Sequence, residues 1–223
     1  TANLGGMTRI SSSADHTCAI DTVAGAVYCW GANGKGQVGV SPASAAVPNA
    51  TLIISSQATD VAAGGSHSCA ASPTKDAVNK DGDSKCWGDD TLAQLGNKPT
   101  TPVVSPAPVL ADQLDHLADI VAAGRNHTCN ARSSDVNPAL LCAGANDLWQ
   151  AGGPPPPAPQ LPFTVKGPDL GFLTQITVLV SGGDHTCVVT VSGDMKCWGS
   201  NAHGQLGIGS TANSAAPVSP SPQ

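Results

Sequence analysis

The tripeptide His-Thr-Cys, or once His-Ser-Cys, begins at His16, His67, His127 and His185, and each time a second cysteine follows at the head of a longer block. The blocks read CWGANGKGQVG from Cys29, CWGDDTLAQLG from Cys86, CAGANDLWQAG from Cys142 and CWGSNAHGQLG from Cys197. Gln37, Gln94, Gln150 and Gln205 stand at one shared offset from these cysteines, and Trp30, Trp87 and Trp198 directly follow three of them. Agreement over so many offsets means one structural unit used four times in a row, so the fold is a repeat array.

Each unit reads as strands. A β-prone lead of small residues precedes the histidine: VAAGGSH from Val61, VAAGRNH from Val121, LVSGGDH from Leu179 and a weaker ISSSADH from Ile10. Between the two cysteines lies a hairpin signal, clearest in CVVTVSGDMKC, where alternating Val and Thr run into Ser192-Gly193-Asp194 and out again. Gly25, Gly82 and Gly193 each stand four residues before the second cysteine, a place that suits positive φ. With 25 Gly, 18 Pro and only 3% aromatics, the core has to be built from Ala, Val, Leu, Ile, Trp and sulfur, with closely approaching backbones.

The linking segments PNATLIISSQ from Pro48, TPVVSPAPVL from Thr101 and PQLPFTVKGP from Pro159 read as one further strand each, with proline at the margins as an outer edge permits. Leu110, Leu114, Leu117 and Val121 fall at helical spacing, which a single helical turn before a strand at Ile120 reconciles. PPPP at 154–157 reads as an extended surface loop. The opening TANLGGMTRI has neither the basic start nor the apolar stretch of a leader, so an exported protein would be in its mature form here.

The lead VAAGGSHSCA with its block CWGDDTLAQLG, and SGGDHTC with CWGSNAHGQLG, resemble the regulator of chromosome condensation (RCC1-like) repeats. The resemblance spans nearly the whole chain and is weakest in the third copy, which has Pro138 at the hairpin glycine and Ala143 at the tryptophan. It implies an all-β fold, a β-propeller-like array of four-stranded antiparallel blades of the kind that normally makes a ring of seven. Four are visible, approximately at 1–47, 48–100, 101–158 and 159–209, with 210–223 as a Ser/Pro-rich tail or a completing strand. On this division the first blade lacks its outer strand and SAAPVSPSPQ has no blade to follow it, so the C-terminal strand is expected to complete the first blade of the same chain or of the next one.

Cys18 with Cys29, Cys69 with Cys86, Cys129 with Cys142 and Cys187 with Cys197 flank the four hairpins, and facing positions on adjacent antiparallel strands lie within disulfide reach. Two other readings use the same residues. A metal site of His16, Cys18 and Cys29, repeated per blade, supplies three ligands where structural zinc takes four. A Cys/His nucleophile pair would be repeated four times with one base beside each. The four histidines, three tryptophans and four glutamines are expected to serve contacts within and between blades, while His116 and His203 look like surface residues. NKDGDSK at 79–85 lacks the closing acid of a calcium loop and reads as a hairpin tip. Asn49 and Asn126 head glycosylation sequons.

A net charge of −6 leaves no basic surface for phosphates, and no apolar run reaches membrane-span length, so neither nucleic acid nor a membrane is an expected partner. No carboxylate pair, phosphate loop or triad order stands out. Asp15 and Asp184 precede the histidine in only two of four copies, so no enzyme, cofactor or metal is expected. Disulfides point to an oxidising place: secreted, cell-surface or periplasmic. The expected function is a secreted structural or assembly protein that self-associates through its terminal strands into a ring or fibre. The alternative is an extracellular protein-binding module using loops 71–83, 96–108 and 150–169. The nuclear nucleotide-exchange role that the resemblance also implies fits poorly with this charge and redox pattern.

Overall fold

The computed structural model describes residues 4–41, 43–72, 84–97, 104–111, 114, 118–133, 140–153 and 175–222. Among the described residues fifteen strands run in order: β1 (Arg9–Ser12), β2 (His16–Asp21), β3 (Ala26–Asn33), β4 (Ser44–Ile54), β5 (Asp60–Ala63), β6 (His67–Ala71), β7 (Lys85–Asp89), β8 (Val104–Leu110), β9 (Ile120–Ala123), β10 (His127–Ala131), β11 (Leu141–Gly144), β12 (Ile176–Ser181), β13 (His185–Thr190), β14 (Met195–Gly199) and β15 (Ser214–Val218). They form four antiparallel meanders, β1-β2-β3-β4, β5-β6-β7-β8, β9-β10-β11 and β12-β13-β14-β15. Each sheet is one repeat and one blade. The third has three strands among the described residues, and its expected outer segment from Pro159 lies outside them.

The hairpin logic of the sequence carries through to register. Cys18 faces Cys29, Cys69 faces Cys86, Cys129 faces Cys142 and Cys187 faces Cys197. Gly25 turns the first hairpin at φ 71° and Gly193 the last at φ 85°, conformations that cost glycine little. Gly82, Pro138 and the 79–83 part of the NKDGDSK stretch fall outside the described residues. Leu114 N–H donates to the Ala111 carbonyl and β9 opens at Ile120, while residues 112–113 and 115–117, Leu117 among them, lie outside the described residues.

The outer strands correct the blade division. β4 pairs with β3, β8 with β7 and β15 with β14, so each outer strand closes the sheet that precedes it in sequence. The boundary drawn between residues 47 and 48 cuts through β4. The first blade therefore has its outer strand, and the C-terminal strand is used by the fourth blade instead of being left for exchange. The physical reason is local: the loop after β3 or β14 returns the chain antiparallel beside the strand it has just left, the shortest route to a hydrogen-bonding partner. Pro48, Pro106, Pro108 and Pro217 all sit in these strands, which need hydrogen bonds on one side only.

Blades stack face to face in chain order. The inner strands β1, β5, β9 and β12 each pack on the next, and no comparable contact joins the first blade to the fourth among the described residues. The apolar cores therefore lie between sheets. One joins Cys18, Ile20, Val27 and Cys29 to Val61, Ala70 and Trp87. The next sets Cys69 and Cys86 against Val121 and Ala143, and the third sets Cys129 and Cys142 against Ile176, Val188 and Trp198. At every seam the disulfide of one blade faces the tryptophan, or in the third blade Ala143, of the following one. No helix among the described residues is long and apolar enough to cross a membrane.

Candidate functional site: the joints between blades

The repeated His-Thr-Cys sits at the start of the second strand of each blade, where successive side chains point to opposite faces. Histidine and cysteine face the following blade and the intervening Thr or Ser faces the preceding one, so one tripeptide supplies both halves of a joint. At the first seam His16 Nε2 lies 2.8 Å from Ser68 Oγ, which donates to the Gln37 carbonyl at 2.9 Å. At the second His67 Nε2 lies 2.8 Å from Thr128 Oγ1, which donates to the Gln94 carbonyl at 2.7 Å. At the third His127 Nε2 lies 2.9 Å from Thr186 Oγ1, which donates to the Gln150 carbonyl at 2.9 Å.

These bonds fix the tautomer. Because the hydroxyl gives its only proton to a carbonyl, it accepts from the imidazole, so each histidine carries its proton on Nε2 and presents a bare Nδ1. His67 Nδ1 and His127 Nδ1 are buried without a partner, whereas Ser13 Oγ lies 3.0 Å from His16 Nδ1. Burial pushes His67 and His127 down to about 3, with neighbouring imidazoles adding to the effect. Burial also lowers His16 and His185. Around neutral pH the buried rings are neutral spacers with one donor each.

The glycine three residues before the histidine makes room for that ring. A Cβ at Gly64, Gly124 or Gly182 would fall 2.3, 2.1 or 2.1 Å from Cε1 of His67, His127 or His185. The first copy has Ser13 at this place and uses its hydroxyl on the ring instead.

The glutamines act through their backbones. Gln37, Gln94, Gln150 and Gln205 each fold the side-chain oxygen back onto a backbone N–H two residues earlier, at 2.8–2.9 Å, which steadies the loop. At three of them the carbonyl receives the hydroxyl of the next blade, and Gln37 also takes Trp87 Nε1–H at 2.9 Å. Trp198 Nε1 is buried without a partner. Two further repeat positions belong to the site and were not singled out in the sequence. Asn33, Asp90, Asn146 and Asn201 accept the backbone N–H of Val38, Leu95, Ala151 and Leu206 at 2.9–3.0 Å and close the same loop. The joint hydroxyls Thr17, Ser68, Thr128 and Thr186 are the other set. Both were visible as constant offsets, four after the second cysteine and one after the histidine.

Main-chain and charged contacts reinforce the seams. Gly65 N donates to Gly124 O at 3.1 Å and Arg125 N to Gly183 O at 2.8 Å. Asp60 accepts from Arg9 of the first blade and from Val121 N of the third, both at 3.1 Å, and burial pushes its carboxyl up. Arg125 pairs with Asp184 across the last seam at 3.4 Å.

Four disulfides close, and no cysteine among the described residues is free. Each sulfur is therefore bonded to another and none is a thiolate, which removes the ligands of the metal reading and the nucleophile of the catalytic one. Asp15 and His203 are exposed on the surface, and His116 lies outside the described residues. Asn49 is exposed on β4, while Asn126 is half-buried beside the second joint.

Sheets stacked radially through one repeated polar joint define a β-propeller arc of non-identical blades. The family model for the regulator of chromosome condensation (RCC1) repeat matches residues 24–71, and a second model of that repeat matches 7–37 and 176–205. The ultraviolet-B receptor UVR8 of Arabidopsis thaliana is 29% identical over 92% of this chain and 44% of its own length. Human WBSCR16 superposes with a TM-score of 0.79 at 20% identity, covering 99% of this chain and 54% of that one. Prp20p of Saccharomyces cerevisiae, described with its binding properties to Gsp1p and histones, superposes at 0.73 with 19% identity, covering 100% and 52%. The chain carries repeats that match the RCC1 repeat models and shares its fold with these proteins, and it spans about half the length of the relatives it matches.

Proposed function

We propose that this chain is a non-enzymatic, disulfide-stapled half-propeller that recognises protein partners and assembles outside reducing compartments. The observation that carries the reading is how the chemically capable side chains are used. Three of the four repeat histidines are consumed in blade joints and all eight cysteines are closed in disulfides, so the arrangement supplies rigidity and surface rather than a reacting group. Prp20p, a structural relative, is described as binding Gsp1p and histones, which supports protein recognition as the general use of such an arc. The acidic balance of this chain favours a partner other than nucleic acid.

The disulfides support a secreted, cell-surface or periplasmic place, because cytosolic thiol buffers keep such pairs reduced. The test is a non-reducing mass of protein from its native source. The oxidised chain should be lighter by eight hydrogens than the reduced one and refuse alkylation. Free thiols in native protein would sink the compartment assignment. For recognition, the segments 71–83, 96–108 and 150–169 are the proposed contact surface, and replacing only their parts outside the described residues, 73–83, 98–103 and 154–169, with short Gly-Ser segments spares β6, β8 and the Gln150 joint and should abolish capture of a cross-linked partner. Unchanged capture would move the contact elsewhere.

A further inference from the structure

The hydroxyl that makes each joint also lies against the disulfide of the blade before it. Ser68 Oγ is 3.6 Å from Cys18 Sγ, Thr128 Oγ1 is 3.6 Å from Cys69 Sγ and Thr186 Oγ1 is 3.9 Å from Cys129 Sγ. Each hydroxyl already gives its proton to a Gln carbonyl, so these are packing contacts, and the oxygen sits on the sulfur as a lid. The rest of the cover is apolar. Trp87 of the second blade packs with Cys18 and Cys29, Ala143 of the third with Cys69 and Cys86, and Trp198 of the fourth with Cys129 and Cys142. All six of these cysteines are 0–1% exposed. The face on which each of the three bridges stands is therefore closed by the following blade, and the joint holds that blade in place.

We propose that the seams gate the disulfides: a thiol reductant reaches the bridge of one blade only when the next blade opens away from it, so each joint protects one particular bridge. Reduction is an exchange between sulfurs. The thiolate of a small dithiol attacks one bridge sulfur, the S–S bond breaks as a mixed disulfide forms, and the other sulfur leaves as a thiolate and takes a proton. The dithiol's second thiol then closes its own ring and frees the first cysteine, so the bridge gains two electrons and the dithiol is oxidised. Attack needs an accessible sulfur, and a closed seam offers none. Opening one seam is a local event, cheaper than losing the whole fold. Protection runs both ways, because His16 and Cys18, His67 and Cys69, and His127 and Cys129 share a strand, so each bridge steadies the hairpin that presents the joint's imidazole. The gate uses only the three seams inside the chain and holds whatever stands beyond either end. It rests on the oxidised state proposed above, which the mass of native protein tests separately.

The test is timed reduction of the purified, oxidised 223-residue chain by dithiothreitol, quenched by alkylation and read bridge by bridge from peptide masses. In the unaltered chain the three seam bridges should be lost faster as urea is raised below the unfolding midpoint, because urea favours exposed surface. Thr186→Val should hasten loss of Cys129–Cys142 by about 30-fold or more, while Cys18–Cys29 keeps its rate. That factor is a loss of about 2 kcal/mol at the third seam, converted at tenfold per ~1.4 kcal/mol. Thr128→Val should hasten Cys69–Cys86 in the same selective way, and Thr186→Ser, which keeps the hydroxyl, should leave all three rates within a few-fold. A rate independent of urea in the unaltered chain would show the sulfurs attacked within the closed arc and would overturn the gate without any variant. Equal acceleration of all three bridges in both valine variants would mean that the arc opens only as a whole, which also overturns it. Free thiols in native protein would defeat the compartment assignment instead, and the gate would still be read, for or against, from protein oxidised in vitro.

Discussion

Replacing Thr186 by valine tests whether the joint hydroxyl holds adjacent blades together. The substitution keeps the shape of a fully buried side chain and removes one oxygen. That oxygen accepts from His127 Nε2 at 2.9 Å and donates to the Gln150 carbonyl at 2.9 Å. Its loss leaves a buried donor and a buried acceptor, both on the third-blade side of the seam, each costing about 1–3 kcal/mol, so the variant should lose about 2–6 kcal/mol. Thr186→Ser is the control, because Ser68 makes the same joint at the first seam, and it should lose only a methyl group, about 1 kcal/mol. Urea denaturation of oxidised protein, followed by tryptophan fluorescence, gives both midpoints, and the imidazole N–H of His127 should exchange faster with solvent in the valine variant. Equal losses for valine and serine would refute the reasoning, because the effect would then be packing rather than hydrogen bonding.

Acid should weaken the fold in a defined window. His67 and His127 are held to about 3 when folded and return to about 6.5 when unfolded, so their neutral-state stability is fully present above 6.5 and is lost as pH falls towards 3. The unfolded chain takes up the protons, and the slope should be about 1.4 kcal/mol per pH unit for each ring, read from denaturation midpoints between pH 7 and pH 4; a flat profile would contradict burial of neutral rings. Gly124→Ala would place a methyl 2.1 Å from His127 Cε1 and should cost about 3 kcal/mol, whereas Gly5→Ala meets nothing within 4 Å and should be neutral by the same assay. Removing the Cys69–Cys86 bridge by a double alanine substitution should cost about 3 kcal/mol, as expected for closing a loop of 17 residues, and a loss below measurement would show that the hairpin is held by its neighbours instead.

The repeat, the hairpins and the cysteine pairs were legible because all three depend on offsets within one unit, which survive in four copies despite Ala143 and Pro138. The owner of each outer strand was not legible. A proline-marked strand between two units has the same alternation whether it closes the unit before it or opens the unit after it, and only the loop after β3 or β14 decides. The joint was half legible. The histidines stood out because histidine is scarce, and the hydroxyl beside each was passed over because Ser and Thr are common in any β-protein, although its position was just as constant. The glutamines drew attention for their side chains, yet the atom that crosses the seam is a backbone carbonyl, which no residue type announces.

Because histidine looks forward along the arc and threonine looks back, every blade carries one unmade bond in each direction until a neighbour arrives. A deletion or duplication of one whole repeat therefore leaves both cut surfaces matching: His16 can meet Thr128 as readily as Ser68, and the carbonyl of Gln37 can serve either. Copy number is thus a variable that recombination between repeats can change while the His–hydroxyl–carbonyl joint is kept at each seam. Lineages built from this unit are free to lengthen, shorten or split their rings while each seam stays under the same selection.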